Sequence, residues 1–225
     1  MGSMIELAAA DGHRLQAYQA APAGDAKGTI VLIQEVFGVT PHLTAIADDY
    51  AVEGFRVIAP ALFDRVAKGT HFLPTEEERQ KAAAFYKQLK WDETILDVGA
   101  AFAAASATGK AGILGFCLGG DIAWAGAGRY QFDAAVCYYG GRIADMLDQT
   151  NNCPVMMHHG TDDPWLPHEN LQKIATSGKP DLTIHDYEGV GHAFNNDTLA
   201  HRYVPGAAAL ARDRSVKFFE DLLSA

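Results

Sequence analysis

The chain has 225 residues, 48% of them apolar and 20% charged, values of an ordinary globular protein that exclude a disordered, collagen-like or coiled-coil chain. That length suits one hydrophobic core better than two, so a single domain is expected over residues 4–225. Lys and Arg total 18 against 28 Asp and Glu, and the net charge of −10 argues against both nucleic acid and anionic membrane surfaces as partners.

Residues 1–3 precede a second methionine, Met4, and read as a cloning remnant outside the fold. Asp11-Gly12, flanked by alternating stretches, predicts a β-hairpin over residues 4–20. The run TIVLIQ at 29–34 is apolar with little alternation, as a strand buried on both faces reads. Further short apolar runs at 56–59, 111–116, 134–139, 154–158 and 182–187 predict strands of the same kind. Helical segments lie between and after them at 42–52, 75–87, 93–105, 120–127, 168–176 and 207–223. Repeated alternation of strand and helix forces right-handed crossovers, and the predicted class is a doubly wound α/β fold with a mostly parallel sheet and helices on both faces. No apolar run reaches the roughly 18 residues of a membrane span, and no basic and apolar leader opens the chain. Three cysteines are too few and of the wrong parity for a disulfide framework, and the expected location is the cytoplasm.

In an open α/β sheet the functional groups belong on loops at the carboxyl ends of the strands. There the segment AGILGFCLGGD, 111–121, leads a buried strand through Gly115, Cys117, Gly119 and Gly120 into a helix. This is the pattern of a nucleophile elbow with cysteine in place of serine, since so sharp a turn leaves room only for hydrogen two positions either side of the nucleophile. A helix N-terminus at Cys117 favours a thiolate and an oxyanion. A buried, inert cysteine is the simpler reading for Cys137 and Cys153, which lack such flanks. The thiol needs a base oriented by an acid, in the chain order nucleophile, acid, histidine. HGTDDPWLP at 159–167 offers Asp162 and Asp163, and EGVGHAF at 188–194 presents His192. The loop QEVFGV at 34–39 supplies a second oxyanion donor, Val36 N–H, beside Leu118 N–H, and places Glu35 in the same crevice. His158, His159 and His168 do not form a metal pattern, because adjacent residues on a strand face opposite ways. No phosphate-binding glycine loop occurs either.

With QEVFGV, GFCLGGD, CYYG, GTDDPWLP and YEGVGHAF in this order over nearly the whole chain, the sequence resembles the dienelactone hydrolases, or carboxymethylenebutenolidases, of the α/β-hydrolase superfamily. The resemblance selects Asp163 as the acid of a Cys117–His192–Asp163 triad. It gives Glu35 the task of holding the cysteine protonated until substrate arrives and then helping it ionise. It further implies a monomer that needs neither metal nor coenzyme and hydrolyses a small carboxylic ester or lactone. Members of the family that cleave dienelactone hold its carboxylate with two arginines. Here the first of these positions falls on Lys81, with Arg79 close by, and the second on Asn196. Lysine keeps the charge without the planar fork, and asparagine lacks the charge. Phe85 and Tyr86 fall where aromatic substrate contacts are expected, although they equally suit the core face of an amphipathic helix. Phe37 and Tyr138 complete the expected substrate wall. Two other readings are an esterase for uncharged small esters, which Asn196 favours, and a redox-sensing thiol protein that turns nothing over.

Overall fold

The computed structural model describes residues 2–224 and contains an eight-stranded sheet. In chain order its elements are β1 (Ser3–Ala8), β2 (Arg14–Ala20), β3 (Thr29–Ile33), α1 (Pro41–Val52), β4 (Arg56–Pro60), α2 (Glu76–Tyr86), α3 (Trp91–Ser106), β5 (Ala111–Phe116), α4 (Leu118–Arg129), β6 (Ala134–Tyr138), β7 (Val155–Gly160), α5 (His168–Ala175), β8 (Leu182–Tyr187) and α6 (Pro205–Leu223). The strands lie in the order β1-β2-β4-β3-β5-β6-β7-β8. β1, β2 and β4 pair antiparallel, and every pairing from β4 through β8 is parallel. The sheet is the predicted mostly parallel, doubly wound one.

β3 lies in the centre, with Ile30 and Leu32 facing one apolar layer and Val31 and Ile33 the other, all fully buried. Its lack of alternation follows from that, since each face of the sheet is covered. The first layer takes Tyr50 from α1 and Phe219 and Leu223 from α6. The second takes Val98 from α3, Trp124 from α4 and Ile174 from α5.

The hairpin forms around Asp11-Gly12, with Gly12 at φ +86°. It reaches further toward the N-terminus than expected: Ser3 pairs with Gln19, and Gly2 N–H donates to the Tyr18 hydroxyl at 2.8 Å. Ser3 is therefore a strand residue and not an appendage, while Met1 lies outside the described residues. α4 starts at Leu118, two residues before the sequence expectation, because Cys117 itself makes the whole turn from β5. Among the described residues no helix is long and apolar enough to cross a membrane.

The chain leaves β3 for β4 on one side and returns to β5 on the other, so the strand order reverses between β3 and β5. Loops leaving adjacent strands at such a point diverge and open a crevice at their carboxyl ends. Ile33 lies opposite Gly115 there, which brings Glu35 and Cys117 to the same opening.

Below it, His158 on β7 is fully buried in a polar network, with Nδ1 2.9 Å from the Tyr187 hydroxyl and Nε2 2.9 Å from Ser215 Oγ. Burial, with the neighbouring His185 and Arg214, holds its pKa well below the usual imidazole range. Its unfolded form takes up a proton near pH 6.5 while the folded form does not, so it contributes stability above that pH that is lost as the pH falls. Asp121, raised to about 7 by burial, acts in the opposite sense over the same range, so a variant must isolate the histidine. In equilibrium urea unfolding of His158→Gln, the free energy should lose about 1.4 kcal/mol less per pH unit below about pH 6.5 than in the unsubstituted chain.

Candidate active site

Cys117 joins β5 to α4 with φ +55° and ψ −118°, a conformation rare for any residue with a side chain. The turn is closed so tightly that a Cβ on Gly115 would lie 1.9 Å from Gly119 O, and one on Gly119 would lie 2.5 Å from Ile33 O. Cys117 N–H donates to Tyr138 O at 3.0 Å, tying the elbow to the end of β6. The thiol is disfavoured from ionising by burial, then by the charges of Glu35 and Asp121, while a hydrogen bond from Leu118 N–H favours the thiolate. The balance keeps it a thiol well above the usual cysteine range.

Asp163 follows β7, and His192 lies on the loop after β8. Asp162 N–H donates to Val190 O at 3.0 Å, and a Cβ on Gly160 would lie 2.2 Å from the same oxygen. Such close backbone contact fixes the two loops against each other. His192 Nδ1 lies 2.7 Å from Asp163 Oδ2, and the other carboxylate oxygen accepts Trp165 N–H at 2.8 Å. Both side chains are buried, while Asp162 is exposed. With Nδ1 turned to the carboxylate, Nε2 is left buried and without a hydrogen-bond partner among the described residues. Trp165 and Tyr139 flank the imidazole, with ring centroids 4.2 and 4.9 Å away.

Glu35, 8% exposed, receives the Tyr139 hydroxyl on Oε1 at 3.2 Å and Asn196 Nδ2 on Oε2 at 2.6 Å. Thr198 in turn donates to Asn196 Oδ1 through its N–H and hydroxyl. The carboxylate is therefore held by neutral donors, which fix its place without supplying a cation to cancel its charge.

A cavity of about 610 Å³ opens above these groups. Cys117, His192, Glu35, Val36, Leu118, Phe37, Tyr86 and Arg79 all line it, as the sequence places them. Four other expected wall residues lie elsewhere. Lys81 is exposed and paired with Glu77 and Glu78 at 2.9 and 2.7 Å on the outer face of α2. Phe85 packs into the aromatic core, 5.0 Å from Phe72 and 5.8 Å from Phe63. Tyr138, 1% exposed, shares a hydrogen bond of 2.8 Å with Ser215 beneath the sheet. Asn196 is spent on Glu35 and does not reach the cavity wall.

Sequence reasoning passed over Arg142, Arg202, Trp165, Tyr139 and Asp121. Arg142 donates to the Tyr86 hydroxyl at 3.3 Å and lies over Trp91, and Arg202 lies 5.4 Å from the Trp165 ring centroid. With Arg79 they place three arginines on the cavity wall. Arg142 follows β6 and Trp165 follows β7, so the rule that function gathers at strand carboxyl ends could have found both.

A strand-order reversal, a cysteine on a strand-to-helix turn and a histidine–aspartate pair on the next loops together define an α/β-hydrolase. The dienelactone hydrolase family model matches residues 15–223. A carboxymethylenebutenolidase of Pseudomonas putida is 32% identical over 229 residues, covering 98% of this chain and 97% of that protein. A putative carboxymethylenebutenolidase of Azospirillum brasilense is 32% identical over 230 residues, covering 97% and 98%. Among solved structures, a putative dienelactone hydrolase from Klebsiella pneumoniae superposes with a TM-score of 0.81 at 25% identity, covering 97% of this chain and 98% of that one. A dienelactone hydrolase-like promiscuous phosphotriesterase from metagenomic libraries shares the fold with a TM-score of 0.80 at 19% identity, covering 99% of each chain. The chain belongs to the dienelactone hydrolase family.

The charge of Glu35 disfavours the Cys117 thiolate, and Glu35→Gln removes it while keeping the shape. At any one pH between about 7 and about 9, Cys117 in that variant should react with iodoacetamide about tenfold faster, the effect of a pKa lowered by about one unit. Mass-spectrometric counting of alkylated Cys117 against time checks it.

Proposed function

We propose that Cys117, His192 and Asp163 form the catalytic triad of a hydrolase for small esters or lactones that carry a negatively charged group. The triad reading rests on the 2.7 Å contact between His192 Nδ1 and Asp163, which leaves Nε2 without a partner in a residue that lines the same cavity as Cys117. Substrate entering that cavity draws the thiol toward Nε2, and the imidazole accepts its proton. The thiolate attacks the carbonyl carbon, and the oxyanion that forms accepts hydrogen bonds from Leu118 N–H and Val36 N–H. Collapse expels the alcohol, which takes the proton from Nε2, and leaves a thioester on Cys117. Water then attacks the thioester, giving its proton to Nε2, and the second collapse returns that proton to sulfur. Asp163 keeps the imidazole in the required tautomer throughout and stabilises its cationic form. Burial and then the charge of Glu35 keep the thiol protonated when the cavity holds no substrate.

The charge preference rests on Arg79, Arg142 and Arg202 around the opening. Planar guanidinium groups suit a carboxylate better than the exposed Lys81 does, and they stand where Lys81 does not reach. A second reading, hydrolysis of uncharged esters, is favoured by the apolar wall of Phe37, Pro74, Leu118, Trp165 and Leu199 and by the engagement of Arg142 and Arg202 with aromatic rings.

Steady-state kcat/KM for a carboxylated lactone and a neutral aryl ester of similar size separates the two. Cys117→Ala should abolish both activities, and the unsubstituted chain should prefer the carboxylated substrate by at least about tenfold, roughly the worth of one charge-assisted hydrogen bond. A preference for the neutral ester would leave the triad standing and remove the carboxylate from the substrate.

A further inference from the structure

Asp121 is a carboxyl group on the cavity wall to which the reaction above gives no task. It lies in the first turn of α4, three residues beyond Leu118, and is only 5% exposed. Helical side chains lean toward the N-terminus of their helix, so this one leans toward the end from which Leu118 N–H emerges. Its Oδ1 accepts Arg142 N–H at 2.8 Å. The guanidinium of Arg142 turns away to the Tyr86 hydroxyl and the Trp91 ring, and among the described residues no cation pairs with the carboxyl. Other charged or titratable groups around it are Cys117 at the elbow, Cys137 on β6 and Asp145 beyond Arg142. Around the same cavity stand Glu35, Arg79, His192, His201 and Arg202.

We propose that Asp121 makes the acceptance of anionic substrates proton-dependent: as an acid it donates a hydrogen bond into the cavity, and as a carboxylate it opposes the three arginines and repels a negatively charged ester. The inference rests on the cavity being the ester site. Burial first, and Asp145 next, raise the carboxyl to about 7 against the opposing Arg142 N–H bond and charge. Both forms are thus populated near neutrality. The same charge adds to the barrier against the Cys117 thiolate, so protonation of Asp121 assists both substrate entry and thiol ionisation.

Asp121→Asn keeps an acceptor for Arg142 N–H and a donor toward the cavity but cannot titrate. KM for a carboxylated ester and a neutral ester of equal size is to be measured from about pH 6 to about pH 8.5, a range that brackets the ionisation. In the unsubstituted chain the ratio of the two KM values should rise about tenfold toward the alkaline end, the effect of one like charge placed close to the ligand. In Asp121→Asn the part of that rise due to Asp121 should be absent, while any pH dependence from the other cavity groups should remain in both proteins. Identical pH profiles of the ratio in the two proteins would overturn the proposal, as would a ratio in the unsubstituted chain that does not change with pH. The affinity of a carboxylated ether analogue, read from intrinsic tryptophan fluorescence over the same range, makes the comparison without turnover. Hydrolysis absent with the pH-dependent affinity present would count against the ester reading and support the role of Asp121.

Discussion

The site depends on how closely backbone approaches backbone around Cys117. Gly115 faces Gly119 across the turn, Gly119 lies against Ile33 O and Gln34 O, and Gly120 lies against Tyr138 O, each too near for a Cβ. These contacts do more than bend the chain. They clamp the start of α4 onto the ends of β3 and β6, so the loop that carries Glu35 and the residue Tyr139 are delivered to the thiol together. The left-handed φ of Cys117, +55°, is held by this packing, and local strain of about 1–3 kcal/mol is typical of such a conformation. Tyr139 and Ala193, at φ +39° and +62°, share that feature beside the same cavity.

That geometry sets an electrostatic problem at the centre. A half-buried thiol sits beside two carboxyl groups, Glu35 and Asp121, each of which disfavours its ionisation. Tyr139 and Asn196 hold Glu35 without neutralising it. The arginines that could offset this charge, Arg79, Arg142 and Arg202, stand on the wall of the same cavity. In the proposed reaction such a field keeps the resting cysteine protonated until a ligand enters the cavity.

The order of elements and the loops that carry Cys117 and His192 were legible because their signals are local. A strand buried on both faces lacks alternation, and a turn that admits no Cβ must be written in glycine. The cavity wall was harder to read because it depends on orientation. Arg79 and Lys81 are two residues apart, about 200° around a helix, so one lines the cavity and the other faces solvent. Phe85 and Tyr86 divide between core and cavity for the same reason. Tyr138 points under the sheet as the last residue of β6, while Tyr139, past the strand end, swings over it to Glu35. Asn196 was read by its place in the chain as a substrate contact, and only the tertiary structure turns it toward a buried carboxylate. Selecting Asp163 over Asp162 took the family resemblance, and the structure pairs Asp163 with His192.

In the proposed reaction the sulfur of Cys117 carries the acyl group between its two halves. Rapid acid quenching of the protein with a slowly deacylating ester, followed by mass spectrometry of the peptide containing Cys117, tests it directly. An increment equal to the acyl group should appear on Cys117 at the rate of the product burst and disappear as substrate is exhausted. Continued turnover with Cys117 unmodified at every quench time, or with the increment on another residue, would contradict it.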